Sequence, residues 1–327
     1  MSGTVLVTDH VFGGVGIERA ALGEIGVELR EAPASDEETL ASLAGEADAM
    51  LVCYASVGER VIEAAARGGC RVISRYGVGV DNVDVDAASR AGILVTYVPD
   101  YCLDEVADHT LTLLLAASRN LMQAVLDVRA GGWTIPRGDV HRLQGRRLTL
   151  IGVGRIGRRV AERALAFGYE VVAYDPYVDD LGMPGVARAE TVEEAVADAD
   201  AISLHAPLTD DNRHLIGART IGFMRHSPVV VNTSRGGLID LDAATRALAD
   251  GRLAALALDV TEVEPLPADH PLRTHPRALI TPHMSFYSVE AQDELQRRAV
   301  DEVVRALRGA PPRCPVNPEV LEGAAIR

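Results

Sequence analysis

The sequence predicts an α/β protein of two doubly wound parallel-sheet domains, on three observations. Short β-branched runs alternate with helical stretches from end to end. The 327 residues exceed the ~100–200 that one domain usually holds. The alternation also falls into two sets, separated by a long helical stretch and an irregular Gly- and Arg-rich segment. Alternating βαβ units imply parallel sheets, because each crossover must pass over a sheet face and so covers it with a helix.

In the first set the candidate strands are Val5–Thr8, Ala49–Cys53, Val72–Arg75 and Ile93–Val98, with a helical pattern over Ser35–Leu43. This set ends near Pro99. A helix is expected from about Leu103 to Arg129, with Val106, Thr110, Leu113 and Leu114 recurring at helical spacing. Gly131–Arg147 is irregular and carries the only tryptophan, Trp133. The second set has candidate strands Leu148–Val153, Glu170–Tyr174, Ala201–Leu204, Val229–Asn232, Ala254–Asp259 and Leu279–Thr281, with a helix over Thr191–Ala197. A last helix, about Ser288–Arg308, precedes a Pro-rich tail and is long enough to return to the first domain. The first domain is therefore expected to be discontinuous, residues 1–101 plus 289–327, around a second domain of residues 102–288.

A hydrophobic content of 48% supplies packed cores rather than disorder. A net charge of −15 argues against nucleic-acid and anionic-membrane partners. The chain has no lysine, which excludes Schiff-base chemistry and a P-loop lysine. Cys53, Cys70, Cys102 and Cys314 form no CxxC pair and fit no zinc spacing, so reduced thiols are expected. The start "MSGTVLVTDH" lacks the pattern of a signal peptide, and the longest apolar run, around Leu111–Ala117, is too short to span a bilayer. A cytoplasmic location follows as an expectation.

"LTLIGVGRIG" places Gly152, Gly154 and Gly157 as GxGxxG between an apolar strand and a helix-forming run. The first glycine makes the tight turn, the second admits a pyrophosphate, and the third lets helix and strand pack closely. The phosphates then meet the positive end of the helix. The next strand, "EVVAYD", ends in Asp175, a carboxylate placed to bond ribose hydroxyls and repel a 2′-phosphate. No arginine follows within three residues, which favours NAD over NADP. This set therefore reads as a Rossmann NAD-binding domain. "RYGVGVDN" has a second glycine pair, Gly77 and Gly79, but lacks the third glycine. It reads as a turn or a backbone anion site.

Three later strand ends carry polar residues: Arg235 in "VVVNTSRGGLID", Asp259 and Glu264 in "LALDVTEVEP", and His283 in "LITPH". Each alone has a plainer reading, as a surface arginine, a turn cap, a solvated loop residue or a loop histidine. In doubly wound sheets, however, ligands bind outside the carboxyl ends of strands, so the three loops converge where a nicotinamide would lie. Reduction of a 2-keto acid needs a hydride donor, a proton donor and a cation for the carboxylate. Arg offers a planar fork. His exchanges a proton near neutral pH, and a neighbouring carboxylate fixes its tautomer.

These residues resemble the D-2-hydroxyacid dehydrogenases over nearly the whole chain, in "GVGVDNVDVDAASRAGILV", "DEVADHTLTLLL", "LIGVGRIG", "LHAPLT", "NTSRGGLID", "ALDVTEVEP" and "TPH". The resemblance implies a flavodoxin-like substrate domain beside the Rossmann domain, with a cleft between them. It also implies that Arg235 binds and polarises the substrate, that His283 is the acid/base, and that Glu264 pairs with His283. Asp259 would contact the nicotinamide amide. Arg155, Ile156, His205, Ala206, Pro207, Thr209, Thr233 and Ser234 would line the cofactor. Backbone amides of Val78 and Gly79 would hold the substrate carboxylate, and a homodimer would form through the long helix and the Trp133 segment. "VPDYCLDEVADHTL" and "FYSVEA" look most like the C-terminal-binding-protein-like subgroup, although this chain has Tyr97 and Phe286 where that subgroup commonly has Asn and Trp.

The expected activity is thus an NAD-dependent 2-hydroxyacid dehydrogenase acting on a small 2-keto or 2-hydroxy acid. The alternative is an NAD(H)-sensing dimeric binding module related to transcriptional corepressors. Tyr54, Tyr76, Tyr97, Tyr101 and Phe286 are candidates to line the substrate pocket. A hydrolase has no GxSxG to support it. His270 and His275 flank a proline in a polar loop without a third ligand, so no metal is expected.

Overall fold

The computed structural model describes residues 3–135 and 140–324. Residues 136–139 of the expected irregular segment, and the ends of the expected first domain, lie outside the described residues. The strands are β1 (Gly3–Val7), β2 (Val27–Glu31), β3 (Ala49–Val52), β4 (Val72–Arg75), β5 (Leu94–Thr96), β6 (Arg147–Ile151), β7 (Glu170–Tyr174), β8 (Val186–Arg188), β9 (Ala201–Leu204), β10 (Val229–Asn232), β11 (Ala255–Leu258) and β12 (Ala278–Ile280). The helices are α1 (Gly16–Gly23), α2 (Glu37–Ala44), α3 (Glu59–Gly68), α4 (Val85–Arg90), α5 (Leu103–Ser118), α6 (Leu121–Arg129), α7 (Arg155–Ala166), α8 (Val192–Ala197), α9 (Ala218–Phe223), α10 (Leu241–Ala249), α11 (Val289–Leu307) and α12 (Glu319–Ala324). They divide into two compact units, Met1–Tyr101 with Ser288–Arg327, and Cys102–Tyr287.

The first unit holds a five-stranded parallel sheet in the order β2-β1-β3-β4-β5. Leu6, Met50, Ile62, Ile73 and Ile93 are among the residues of its core. Helix α11 belongs here: Leu295, Ala299 and Val303 are buried, and Ser74 Oγ donates to the Ala299 carbonyl at 2.9 Å. Asn317 fixes the following segment, accepting from Val95 N at 2.7 Å and donating to the Ile93 carbonyl at 3.0 Å.

The second unit holds a seven-stranded parallel sheet in the order β12-β11-β10-β9-β6-β7-β8. Counted from β6, this is the 3-2-1-4-5-6 order of dinucleotide-binding sheets with one strand added. Strands β9, β10 and β11 are buried along their whole length, which accounts for the unbroken apolar runs "AISL", "VVV" and "ALAL". The strand order reverses between β6 and β9, so the crevice lies beyond their carboxyl ends.

Three expectations change. Strands β2 and β8 were not anticipated. Both are edge strands, and "VELRE" buries only Val27 and Leu29, so neither shows the apolar run of a central strand. The helix expected over Leu103–Arg129 breaks into α5 and α6, which meet at 66°. Asn120 stops α5 in the left-handed region at φ 48°, a conformation asparagine tolerates better than most residues. Among the described residues no single helix is long and apolar enough to cross a membrane.

Candidate active site

The loop after β6 is shaped by what its glycines leave out. Gly152 has φ 94°, and a Cβ there would lie 2.7 Å from the His205 carbonyl carbon and oxygen. A Cβ at Gly157 would lie 2.4 Å from the Gly152 carbonyl oxygen. Gly154, in contrast, faces open space, with nothing within 4 Å of its Cβ position. It caps α7, whose first amides, at Arg155 and Ile156, have no acceptor within the helix. Open space above a helix start suits a phosphate group, so these residues fit a dinucleotide.

Asp175, one residue beyond β7, accepts from Val153 N through Oδ2 and from Tyr177 N through Oδ1, each at 3.0 Å. Its carboxylate is thereby fixed beside the glycine turn. His205, just past β9, packs under that turn, and its Nε2 lies 2.9 Å from Ser203 Oγ. Burial pushes the imidazole down to about 4, so it is neutral at physiological pH. Ala206 and Pro207 follow, and Asn212 closes their turn by accepting from Thr209 N at 2.8 Å and donating to the Pro207 carbonyl at 2.7 Å.

Buried Asn232, the last residue of β10, holds the next loop from below. Its Oδ1 accepts from Ser234 N at 2.9 Å, and its Nδ2 donates to the Arg235 carbonyl at 2.8 Å. Thr233 Oγ1 meets Thr110 Oγ1 at 2.8 Å, and Ser234 Oγ donates to the Leu204 carbonyl at 2.7 Å. Arg235 is half-buried, with Nη1 donating to the Ser234 carbonyl at 2.8 Å. A Cβ at the following Gly236 would lie 2.0 Å from the Thr261 carbonyl carbon. Only glycine lets the Arg235 loop lie directly on the loop that carries Glu264.

Glu264 Oε1 accepts from Thr261 N at 3.0 Å, while Oε2 lies 2.7 Å from His283 Nδ1. His283 sits in the left-handed region at φ 51°, and its own N–H donates to the Asp259 carbonyl at 2.9 Å. The contact with Glu264 fixes the imidazole through Nδ1.

Two expected site residues are engaged with partners inside the protein. The resemblance put Asp259 on the nicotinamide amide. Its side chain has no exposed surface in this structure. It accepts from Met284 N at 3.0 Å, Ser285 N at 2.8 Å and the Thr281 hydroxyl, all in the His283 loop. Tyr76 was a pocket candidate but is 2% exposed. Its hydroxyl donates to Glu18 Oε1 at 2.9 Å, and its ring meets Phe12 edge-on. Of the other candidates, Tyr101 is buried, Tyr54 and Val78 are exposed, and Tyr97 and Phe286 are half-buried. Val78 and Gly79 follow Gly77 in the first unit, in the turn after β4. The His270 and His275 rings each accept a backbone amide at 3.2 Å, from Leu272 and Arg277, so both cap local turns.

Three residues escaped the sequence reading. His109 on α5 places Nε2 3.1 Å from Thr281 Oγ1. In the first unit, Asp9 accepts from Cys53 N, Tyr54 N and Ala55 N at 2.7–3.1 Å. Asn82 donates to the Cys53 and Ala55 carbonyls at 3.1 and 2.8 Å. The available signals were an aspartate just past an apolar strand and a histidine among the buried positions of a helix. A cavity of about 380 Å³ opens at the opposite, amino-terminal edge of the second sheet, lined by His141, Arg146, Asp200, His226 and Arg277. Its Arg146–Asp200 pair is internally satisfied, and it lies roughly a strand length, ~13 Å, from the residues above.

A parallel sheet of this order, with a glycine cradle at its switch point, is a dinucleotide-binding domain. The chain belongs to the D-isomer specific 2-hydroxyacid dehydrogenase family, whose NAD binding domain model matches residues 111–285. It is 40% identical to D-3-phosphoglycerate dehydrogenase of Methanocaldococcus jannaschii over 88% of this chain and 55% of the relative. It therefore spans about half the length of that relative. It is 36% identical to glyoxylate reductase of Aeropyrum pernix over 87% of each chain. Among solved structures, D-lactate dehydrogenase of Aquifex aeolicus, in complex with NAD and lactic acid, superposes with a TM-score of 0.84 at 26% identity. That match covers 98% of both chains.

Proposed function

We propose that this protein is an NAD-dependent 2-hydroxyacid dehydrogenase, working as a 2-keto acid reductase in the reverse direction. The observation that carries the reading is the 2.7 Å contact between Glu264 and His283, at the same sheet edge as the glycine cradle. A nicotinamide held there supplies or takes the hydride. The chain's own residues do the rest. Gly152, Gly154 and the first amides of α7 hold the pyrophosphate. Asp175 takes the ribose hydroxyls and disfavours a 2′-phosphate, giving NAD over NADP. Arg235 binds the substrate carboxylate and polarises the carbonyl oxygen. With Nδ1–H committed to Glu264, His283 Nε2 gives the proton to the nascent alkoxide, or removes it in the oxidative direction. Backbone amides at Val78 and Gly79 are proposed as further carboxylate donors. Phe286 and Tyr97 are proposed to set which small 2-keto acid is accepted.

The test is a panel of 2-keto acids with NADH, followed by loss of NADH absorbance. Arg235→Ala is expected to abolish turnover while NADH binding persists. Turnover by that variant equal to the parent's would overturn the assignment.

The proposal includes a homodimer. Leu121, Met122, Leu126 and Val128 on α6 are about half exposed, and Trp133 and Ile135 are 90% and 83% exposed. This much apolar surface favours assembly, which sedimentation velocity would read as twice the mass of a single chain. The same surface favours the second reading, an NAD(H)-sensing module of the C-terminal-binding-protein-like subgroup. Capture of a stoichiometric partner only with NAD(H) present, without turnover, would select it.

A further inference from the structure

We infer that His109 is a positioning residue for His283, acting through Thr281 and Asp259. The inference rests on the acid/base role proposed for His283. His283 has a backbone conformation that costs a non-glycine residue free energy unless its surroundings impose it. Asp259 supplies that constraint from both ends: its carbonyl takes the His283 amide, and its carboxylate takes the next two amides, of Met284 and Ser285. What fixes the carboxylate itself is the hydroxyl of Thr281, which donates to Oδ1.

A hydroxyl has one proton. With that proton on Asp259, Thr281 Oγ1 can only accept from its other neighbour, His109 Nε2 at 3.1 Å. His109 therefore carries its proton on Nε2, and the chain of donation runs His109 to Thr281 to Asp259. Nε2 lies 3.6 Å from Asp259 Oδ1, too far for a direct hydrogen bond, so the hydroxyl is the necessary link. The Asp259 side chain has no exposed surface, while His109, 18% exposed, and Thr281 are half-buried. His109 stands on α5, which also supplies Thr110 to Thr233 in the Arg235 loop. Consecutive residues of one helix thus brace the two loops that carry the proposed catalytic side chains.

Without the His109 donor, the Thr281 hydroxyl is free to turn, and Asp259 no longer has a fixed third bond against which to hold the loop. The test compares His109→Leu with His109→Gln, whose amide nitrogen reproduces a donor near the Nε2 position. His109→Leu is expected to lower kcat by about tenfold or more, since small misplacements of a reacting group carry such costs. KM for NADH and NADH binding should stay at the parent's values. His109→Gln should recover kcat to within about threefold. A readout independent of turnover is the downfield proton resonance of His283 Nδ1–H on Glu264. It should broaden or vanish in His109→Leu and return in His109→Gln. Equal kcat and an unchanged His283 resonance in His109→Leu would overturn the inference. So would equal losses in the Leu and Gln variants. If the parent reduces no 2-keto acid, the proposed function fails, and the resonance still decides whether His109 positions His283.

Discussion

Asp9 lies just beyond β1 and takes the amides of Cys53, Tyr54 and Ala55, from the loop after the neighbouring strand β3. Asp259 lies just beyond β11 and takes the amides of Met284 and Ser285, from the loop after the neighbouring strand β12. Asp175, beyond β7, does the same for Val153 after β6. The device is one aspartate at the carboxyl end of a parallel strand, used as an anchor for its neighbour's loop. A carboxylate accepts several amides at once, and each such charge-assisted bond is stronger than a neutral one. The units differ in what the anchored loop carries. In the first it presents Tyr54 and backbone groups. In the second it presents His283, already paired to Glu264. The same anchor thus orders loops in both units, and the proposed chemistry adds to it only the His283–Glu264 pair.

The largest expected effect tests that division. His283→Ala should lower turnover by on the order of 10²–10⁴, the range for losing a general acid/base, with little change in unfolding free energy. Asp9→Asn should show the opposite pattern, with its effect on stability. A His283→Ala enzyme that unfolds far more easily than the parent would show that the pair is structural, and the contrast would collapse.

His205 sharpens the comparison through pH. Its folded value, about 4, lies below the ordinary histidine value of 6.5, because the buried imidazole resists protonation. The unfolded chain takes up that proton first as pH falls. The contribution is therefore nil above 6.5, and stability declines as pH drops from 6.5 towards 4. The loss reaches on the order of 3 kcal/mol at pH 4. Urea unfolding of the parent and His205→Gln at pH 7 and pH 4.5 should show a steeper decline in the parent. Parallel declines would mean that the imidazole beneath the glycine turn takes up a proton as freely when folded as when unfolded.

Asp9→Asn comes next. Oδ2 accepts two amides and Oδ1 a third, so an amide NH₂ at either position faces at least one N–H. A cost of about 2 kcal/mol is expected in urea unfolding. Asp259→Asn meets the same conflict, and should lose turnover as well as stability because its loop carries His283.

The residues proposed to carry the chemistry stand out in the sequence far more than the scaffolding that holds them. Gly152, Gly154, Gly157 and Asp175 stand out because a strand, a glycine turn and a helix start must follow one another within a few residues. Arg235, Glu264 and His283 stand out because they follow the ends of apolar strands. Asp9 has the same local signature as Asp175, but the amides it serves lie more than forty positions along the chain. His109 and Thr281 are 172 positions apart, and nothing local in either marks the contact. Edge strands β2 and β8 escaped for a related reason: their pattern is set by a neighbour on one side and solvent on the other. Burial of Tyr76 was equally hidden, because an aromatic beside a glycine turn looks the same whether it faces a ligand or the core.

Tyr76 gives the smallest expected effect and a check on that last point. Its hydroxyl meets Glu18, and Glu18 also takes both its oxygens' contacts with Gln296 Nε2 at 3.1 Å. Burial first, and the Glu18 charge second, push the phenol well above its ordinary value, so it stays a donor at alkaline pH. Tyr76→Phe removes one donor from a buried acceptor that keeps another, which should cost on the order of 1 kcal/mol in urea unfolding. KM for any 2-keto acid should be unaffected, because the ring stays against Phe12 and the lost atom faces the core. Tyr54→Phe, at an exposed position in the Asp9-anchored loop, should cost less stability than this. A several-fold rise in KM from Tyr76→Phe at unchanged stability would return Tyr76 to the substrate pocket despite its burial.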